Sequence, residues 1–510
     1  MPVHADTSWH DVIVVGGGNA ALCAALSAHE AGARVLVLER APESDRGGNS
    51  VYTDGLMRFA YDGVDDIRAL APDLTDKEVN DADFGSYTES DFFDDMGRIT
   101  QYRTDPDLCE ILVKNSKETL LWMRRQGVRF MPDFGRQAYK VDGKFKFWGG
   151  ATIAVSAGGP GLIQSLYRAA EKRGIEIVYG AWVQHLLHGE DGVSGVVAKI
   201  QGRTRELKSG AVVLACGGFE ANPEWRTKYL GPGWDLAKVR GTKYNTGDGL
   251  AMALAIGAQP FGHWSGCHAV SWERNATEFG DLNLTPQFQR NAYQFGIMVN
   301  AEGNRFVDEG ADFRNYTYAK YGQQVLRQPG QIAWQICDDQ TRHLLRDEYR
   351  SRYATKISAN SIEELAEKLE EIDKKQFIET VKTYNASITT DKPFDPNVKD
   401  GRRAAGLPVP KSNWAVAIEK APIEAYSVTC GITFTFGGVR INNDCQVIDT
   451  SHMPIKGLFA AGEMVGGIFY FNYPGASGLT SGAVFGRRSG SSAANFGISR
   501  RELQQVAAGR

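Results

Sequence analysis

The period of the hydrophobic pattern changes several times along the chain, and its first change says the most. Val12-Ile13-Val14-Val15 is a continuous apolar run, as in a strand buried on both faces of a parallel sheet. Three glycines break it, residues 19–31 are rich in alanine as in a closely packed helix, and Val35-Leu36-Val37-Leu38 is a second buried strand. Asp105-Pro106-Asp107 and Gly127 predict a capped helix over 105–130, and 158–174 reads as another helix. Residues 175–179 and 192–208 read as strands and a hairpin. Apolar strands ending in small residues return at 212–219 and 457–463, and a last helix opens over 475–482. Between 263 and 432 the pattern is less regular. It holds tryptophans, clustered arginines and a capping-box start at Ser361-Ile362-Glu363-Glu364-Leu365. That helix and the next, over 376–388, read as solvated surface, and 393–410 as a proline- and glycine-punctuated loop.

The first unit carries a specific chemistry. Its spacing is Gly16-x-Gly18-x-x-Ala21, with Glu39 18 residues after Ala21. Gly16 makes the tight turn, Gly18 lets backbone approach a pyrophosphate, and Ala21 permits close helix–strand packing. The helix start at Asn19 and Ala20 offers free N–H groups to phosphate, Glu39 offers a carboxylate to a ribose hydroxyl, and Arg40 follows it. A second turn, Arg46-Gly47-Gly48-Asn49-Ser50, suits the pyrophosphate or a flavin ring. The same strand-to-glycine pattern recurs at Ala215 and Gly217, at Asp248 after Gly247, and at Gly462-Glu463. Val183 is a further candidate, and Ser477-Gly478-Leu479-Thr480 would aim a helix N-terminus at the cofactor. A site built from both ends of the chain favours FAD over NAD. The predicted fold class is α/β: a discontinuous Rossmann-like FAD-binding domain (1–262 and 435–510) with an inserted α+β substrate-capping domain (263–434).

Composition narrows the picture. The 510 residues suffice for two domains and a large core, and the net charge of -4 leaves no footprint for nucleic acid. No apolar run approaches the roughly 18–20 residues needed to span a membrane. Met1-Pro2-Val3-His4-Ala5-Asp6 does not read as a signal peptide, so a cytoplasmic protein is expected. The seven cysteines are scattered, with no Cys-x-x-Cys, which argues against a disulfide scaffold, an iron–sulfur cluster or a dithiol relay. No metal is expected. Electrons leaving a flavin must then pass to a partner, a quinone, a soluble acceptor or oxygen.

Asn304-Arg305-Phe306-Val307-Asp308-Glu309, the two-ended FAD motifs and the insert resemble the fumarate reductase/succinate dehydrogenase flavoprotein superfamily over nearly the whole chain. Gly431-Ile432-Thr433-Phe434-Thr435-Phe436-Gly437-Gly438, the stretch 312–318 and the stretch 469–475 resemble FAD-dependent tricarballylate dehydrogenases, which yield cis-aconitate. The resemblance implies desaturation of a C–C bond beside a carboxylate, with hydride passing to the flavin and a proton to an arginine-centred relay. It implies a polycarboxylate substrate and an electron acceptor such as a membrane-associated redox protein.

By this resemblance Arg314 is the nearest match to the proton-transferring arginine, displaced by one residue, with Glu309 or Asp312 as a relay. His268 matches a carboxylate-binding histidine, and Arg290 lies near the relay's upstream arginine. Arg305 is a further substrate candidate, though it also suits pairing with Asp308 or Glu309. Two departures stand out: Phe434 replaces a second carboxylate-binding histidine, and Tyr473 replaces a carboxylate-clamping arginine. They weaken fumarate or succinate as substrate. Tyr473-Pro474-Gly475 also resembles 3-ketosteroid dehydrogenases. That resemblance implies a competing ketone-adjacent desaturase, with Tyr473 as donor and Tyr316 or Tyr318 as base. The stretch 46–58 lacks the histidine that carries covalent flavin in the superfamily, so FAD is expected to be non-covalent.

Overall fold

The computed structural model describes residues 4–389, 391–507 and 509. Residues 1–3, part of the segment read for a signal peptide, lie outside them. The main sheet has eight strands. Its central strand His4–Val15 lies parallel to Val35–Leu38 on one side and to Arg203–Leu214 on the other. Arg203–Leu214 is antiparallel to Gly192–Ile200 over its first half, and its end pairs parallel with Pro454–Ala460. Both ends of the chain therefore meet in one sheet, as the recurring strand-to-glycine pattern predicts.

The alanine-rich helix Asn19–Glu30 packs on the last helix, Ser477–Ala507, at a distance only glycine permits. A Cβ on Gly486 would lie 2.4 Å from the Ala20 carbonyl oxygen, and one on Gly490 2.1 Å from that of Ala24. The predicted helix over 105–130 is Pro106–Arg125, and Asp105 caps it by accepting from the Asp107 and Leu108 amides.

A second, six-stranded sheet is organised around the 17-residue strand Ile423–Val439. Pro260–Glu273, Ala333–Cys337 and Lys356–Ala359 pair with it antiparallel, and Lys238–Val239 pairs parallel. The expected junctions at 262/263 and 434/435 fall inside two of these strands, which run unbroken between the insert and the cofactor region.

The helices Ile362–Lys368 and Lys374–Ala386 are not simply solvated surface. Ile362, Leu365 and Ala366 on one, and Phe377, Val381 and Tyr384 on the other, close a separate core over Ile297, Val299, Trp334 and Ile336. Three- and four-residue spacing places each set on one face. Ser361 caps its helix by accepting from the Glu364 amide. The Glu364 carboxylate reaches back to Asn360, one residue beyond the expected partner.

Among the described residues no helix is long and apolar enough to cross a membrane, and no group of three or more His, Cys, Asp or Glu is placed to hold a metal. The fully buried Phe377 gives the test of the second core. Phe377→Ala should lower unfolding stability in urea by about 3–5 kcal/mol, whereas Lys375→Ala should stay within about 0.5 kcal/mol.

Candidate active site

One cavity, about 1960 Å³ including its mouth, runs from the first glycine turn into the second sheet. Gly16 sits at φ +114°, where a Cβ would come 2.4 Å from the Ala215 carbonyl oxygen, so the turn demands glycine. A Cβ on Gly18 would meet only ordinary contacts, Ser50 Oγ at 3.5 Å and the Gly47 carbonyl oxygen at 3.6 Å, and Gly48 faces it. The two glycine turns thus form a bare backbone cradle at the start of Asn19–Glu30, suited to a pyrophosphate.

Glu39 lines the cavity at the far end of this cradle. Its Oε1 accepts from the Ala41 amide at 2.7 Å, and burial raises its pKa to about 7 despite that bond. Arg40 pairs with Asp248 and donates to Thr246 Oγ1, and its guanidinium lies 5.1 Å from the Trp182 ring centre and 5.9 Å from that of Tyr244. These groups form a clamp in the cavity wall beside Glu39, where the adenosine half of a dinucleotide would fit. Asn19, Ala20, Ser50, Val183, Ala215, Gly217, Gly462, Glu463, Gly478 and Leu479 also line the cavity, as expected from sequence.

Three expected cofactor contacts do not reach it. Gly47, at φ +113°, turns its α-carbon toward Ile163 and Val51. Ser477 Oγ donates to the Pro474 carbonyl, and Thr480 Oγ1 to that of Ala476, so both hydroxyls serve the start of the last helix. Asn49 lines the cavity, yet its side chain is committed to protein. It donates to Glu220 at 2.5 Å and the Thr433 carbonyl at 2.7 Å, and accepts from the Thr242 amide at 2.9 Å.

The other end of the cavity is cationic. Arg314 and Arg346, both buried, donate from Nη2 to the same carbonyl, that of Arg136. Arg240 joins them in the wall, with Nη2 3.9 Å from the Asp54 carboxylate. His268 stacks on Phe434 (ring centres 5.3 Å apart, planes 11°) and meets Tyr318 and Tyr473 edge-on. Burial, assisted by Arg240, holds the His268 pKa well below the ordinary imidazole value, so the ring is neutral, and neither nitrogen has a protein partner among the described residues. The Tyr318 and Tyr473 hydroxyls hydrogen-bond to each other. Burial raises both pKa values, so both stay protonated at neutral pH.

Three residues expected at the substrate are elsewhere. Arg290 is fully buried in a 2.8 Å ion pair with Glu273 and does not line the cavity. Arg305 binds Glu309 and the Val409 carbonyl, the structural alternative read from its sequence. Tyr316 donates to Asp95 at 2.6 Å in a cluster with Arg58 and Tyr87. The expected relay partners are also committed, Glu309 to Arg305 and Asp312 to Arg98. Arg290, Arg305, Glu309 and Asp312 are each held by a counter-charge within the protein. Conversely, Arg240, Arg346 and Asp54 were missed. Only Asp54 carried a signal, its place just after the second glycine turn.

A family model described as "FAD binding domain" matches residues 11–479. The chain belongs to this family. Its cofactor is FAD, and the curated relatives it matches include proteins named as fumarate, urocanate and vinyl phenol reductases. "Fumarate reductase (cytochrome)" of Shewanella frigidimarina is 30% identical over 95% of this chain and 77% of that protein. "NADH:fumarate oxidoreductase" of Klebsiella pneumoniae is 29% identical over 95% of the chain, which spans 48% of that relative's length. Among solved structures, the open conformation of a flavocytochrome c3 fumarate reductase matches with a TM-score of 0.70 and 26% identity, over 96% of this chain and 79% of that one. These matches bear out the fumarate reductase/succinate dehydrogenase flavoprotein superfamily and its α/β fold; they do not single out tricarballylate dehydrogenases.

The Arg40 clamp and Glu39 give two expected outcomes. Arg40→Ala should weaken FAD retention about tenfold or more, measured as free-flavin fluorescence on dilution. In the apoprotein the folded state keeps a proton on Glu39 that the unfolded state releases. Stability should therefore fall as pH rises from 4.5 to about 7. Glu39→Gln should flatten the melting temperature across that window.

Proposed function

We propose that the protein desaturates, or saturates in reverse, a carbon–carbon bond next to a carboxylate in a small organic acid, holding its FAD non-covalently. The supporting observation is that Arg240, Arg314 and Arg346 line the same cavity as the dinucleotide cradle. Planar guanidinium forks match carboxylate geometry, and placed around it they stabilise the negative charge that grows when the adjacent C–H is deprotonated. FAD, when bound, supplies the two-electron redox chemistry. Arg136, through its carbonyl, fixes the Arg314 and Arg346 guanidiniums. Arg314 is the group we assign to proton transfer. Neutral His268 offers an unpartnered nitrogen to the acid as a hydrogen-bond donor.

Tricarballylate, converted to cis-aconitate, is the acid suggested by the resemblance of the stretches 312–318, 431–438 and 469–475. A second reading draws on the Tyr318–Tyr473 pair. Two protonated phenols in the cavity wall suit a carbonyl oxygen, and would polarise a ketone beside the reacting bond. In either case the electrons pass to a separate acceptor, for which a redox protein is proposed.

The test is anaerobic mixing of the yellow holoprotein with tricarballylate, succinate and a cyclic ketone, following the visible flavin absorbance. Bleaching by an acid is expected, with Arg314→Ala and Arg346→Ala each lowering kcat/KM by about 10²–10³-fold while FAD stays bound. Bleaching by the ketone alone, abolished by Tyr473→Phe and untouched by Arg314→Ala, would replace the acid reading with the second one.

A further inference from the structure

Five rings stand together in the cavity wall: His268, Tyr318, Phe434, Phe469 and Tyr473. Phe434 is their hub. Its ring centre lies 5.3 Å from those of His268 and Tyr473 and 6.0 Å from that of Phe469. Tyr473 meets Phe469 at 5.4 Å and His268 meets Tyr318 at 5.0 Å, both edge-to-face. Phe434 and Tyr318 are only partly buried, so each leaves ring surface open to the cavity. Gly478, another lining residue, lies beside the set: a Cβ there would be 3.7 Å from the Phe434 ring and from that of Tyr473.

The guanidiniums come from the adjoining backbone. The Arg240 amide donates to the Ile432 carbonyl at 2.8 Å, two residues before Phe434. Arg314 opens the turn that leads into the helix Tyr318–Leu326, and the Asn315 carbonyl accepts from the Gly475 amide, two residues after Tyr473. One side of the chamber is therefore cationic and the next side aromatic. Among the described residues lining this end the cations are Arg240, Arg314 and Arg346, and none belongs to the ring set. The Tyr318 and Tyr473 hydroxyls are turned to each other, and His268 is neutral, so the rings offer no charge to a second carboxylate. A carboxylate fits the guanidiniums. Against the rings it would lose hydration without a counter-charge, whereas an apolar ring gains burial and edge-to-face contacts.

We propose that the acid carries an aromatic ring: a 3-arylpropanoate or the matching 3-arylacrylate. Its carboxylate lies on the arginine side, its ring against Phe434, and the reacting C2–C3 bond between them. This rests on the organic-acid function proposed above and narrows it, away from di- and tricarboxylates. In the desaturating direction C3 loses a hydride and C2 a proton, the latter to the group assigned above. The C2–C3 double bond forms in conjugation with ring and carboxylate, and the two electrons leave through the bound FAD to the separate acceptor.

Succinate and 3-phenylpropanoate form the matched pair of probes, since they differ only in carrying carboxylate or phenyl on C3. Each is titrated into oxidised holoprotein without oxygen, reading the shift of the flavin spectrum on binding and the bleaching that follows. Wild type should bind 3-phenylpropanoate at least about tenfold more tightly than succinate. Phe434→His, which puts a hydrogen-bonding ring in the apolar place, should cut that ratio about fivefold or more, and Phe434→Leu, which keeps an apolar face, should retain the preference. Equal binding, or a wild-type preference for succinate, overturns the proposal even if the variants do not load FAD, while bleaching by succinate alone leaves the acid reading standing. An FAD-loaded Phe434→His with weaker FAD retention and an unchanged ratio also overturns it, because the rings then bed the flavin and not the substrate. If neither acid perturbs or bleaches the flavin, the acid reading itself fails.

Discussion

Asn49 carries the constraint on which the cavity depends. Its amide and carbonyl tie the second glycine turn to Glu220, to the Thr242 amide and to the Thr433 carbonyl, three segments far apart in sequence. Glu220 is held from a second side by Asn245, at 2.7 Å. In a buried setting each of these bonds is costly to leave unmade, so the segments are locked together or not at all. The consequence is geometric. Thr433 lies on the long strand Ile423–Val439, the spine of the second sheet. The bond from Asn49 therefore fixes the insert's sheet against the cofactor cradle. An asparagine in the cavity wall, which reads from sequence as a cofactor contact, thus also ties the cradle to the insert's central strand.

The cofactor half of the site was legible because it rests on backbone requirements that few residues satisfy. Gly16 at φ +114° against the Ala215 carbonyl admits no side chain, and Gly486 and Gly490 are needed where two helices touch. Such positions leave a mark in sequence whatever the rest of the fold does. The substrate half left much less. Arg240 follows a two-residue strand, Arg314 begins a single 3₁₀ turn, and Arg346 precedes another. None lies on a periodic element, so no spacing announces that they converge.

Nor does residue type reveal a role when the counter-charge is distant in sequence. Arg290 looks like a substrate clamp until Glu273, 17 positions away, is found sealed against it with both side chains fully buried. Removing one partner of such a pair would leave an uncompensated buried charge, which costs far more than the pair contributes. Arg290 thus pins the strand Pro260–Glu273 to the loop that precedes Asn291. Asn291 itself reaches the cavity wall. Its contribution to the site is indirect but structural in a specific way.

The loop Tyr473-Pro474-Gly475 shows how the two halves share one framework. Arg58, fully buried, donates from Nε to the Gly475 carbonyl at 2.8 Å, and the Gly475 amide donates to the Asn315 carbonyl at 2.7 Å. Asn472 donates to the Tyr316 carbonyl at 2.7 Å. The loop carrying Tyr473 is therefore clamped between the segment that follows the second glycine turn and the segment that carries Arg314. Tyr316, which does not line the cavity, belongs to this clamp through Asp95 and Arg58. Arg314 and Tyr473 consequently cannot shift independently. The spacing of Arg314 and Tyr473 in the cavity wall is held by the same buried Arg58 network, which favours a preorganised chamber over a set of adaptable side chains.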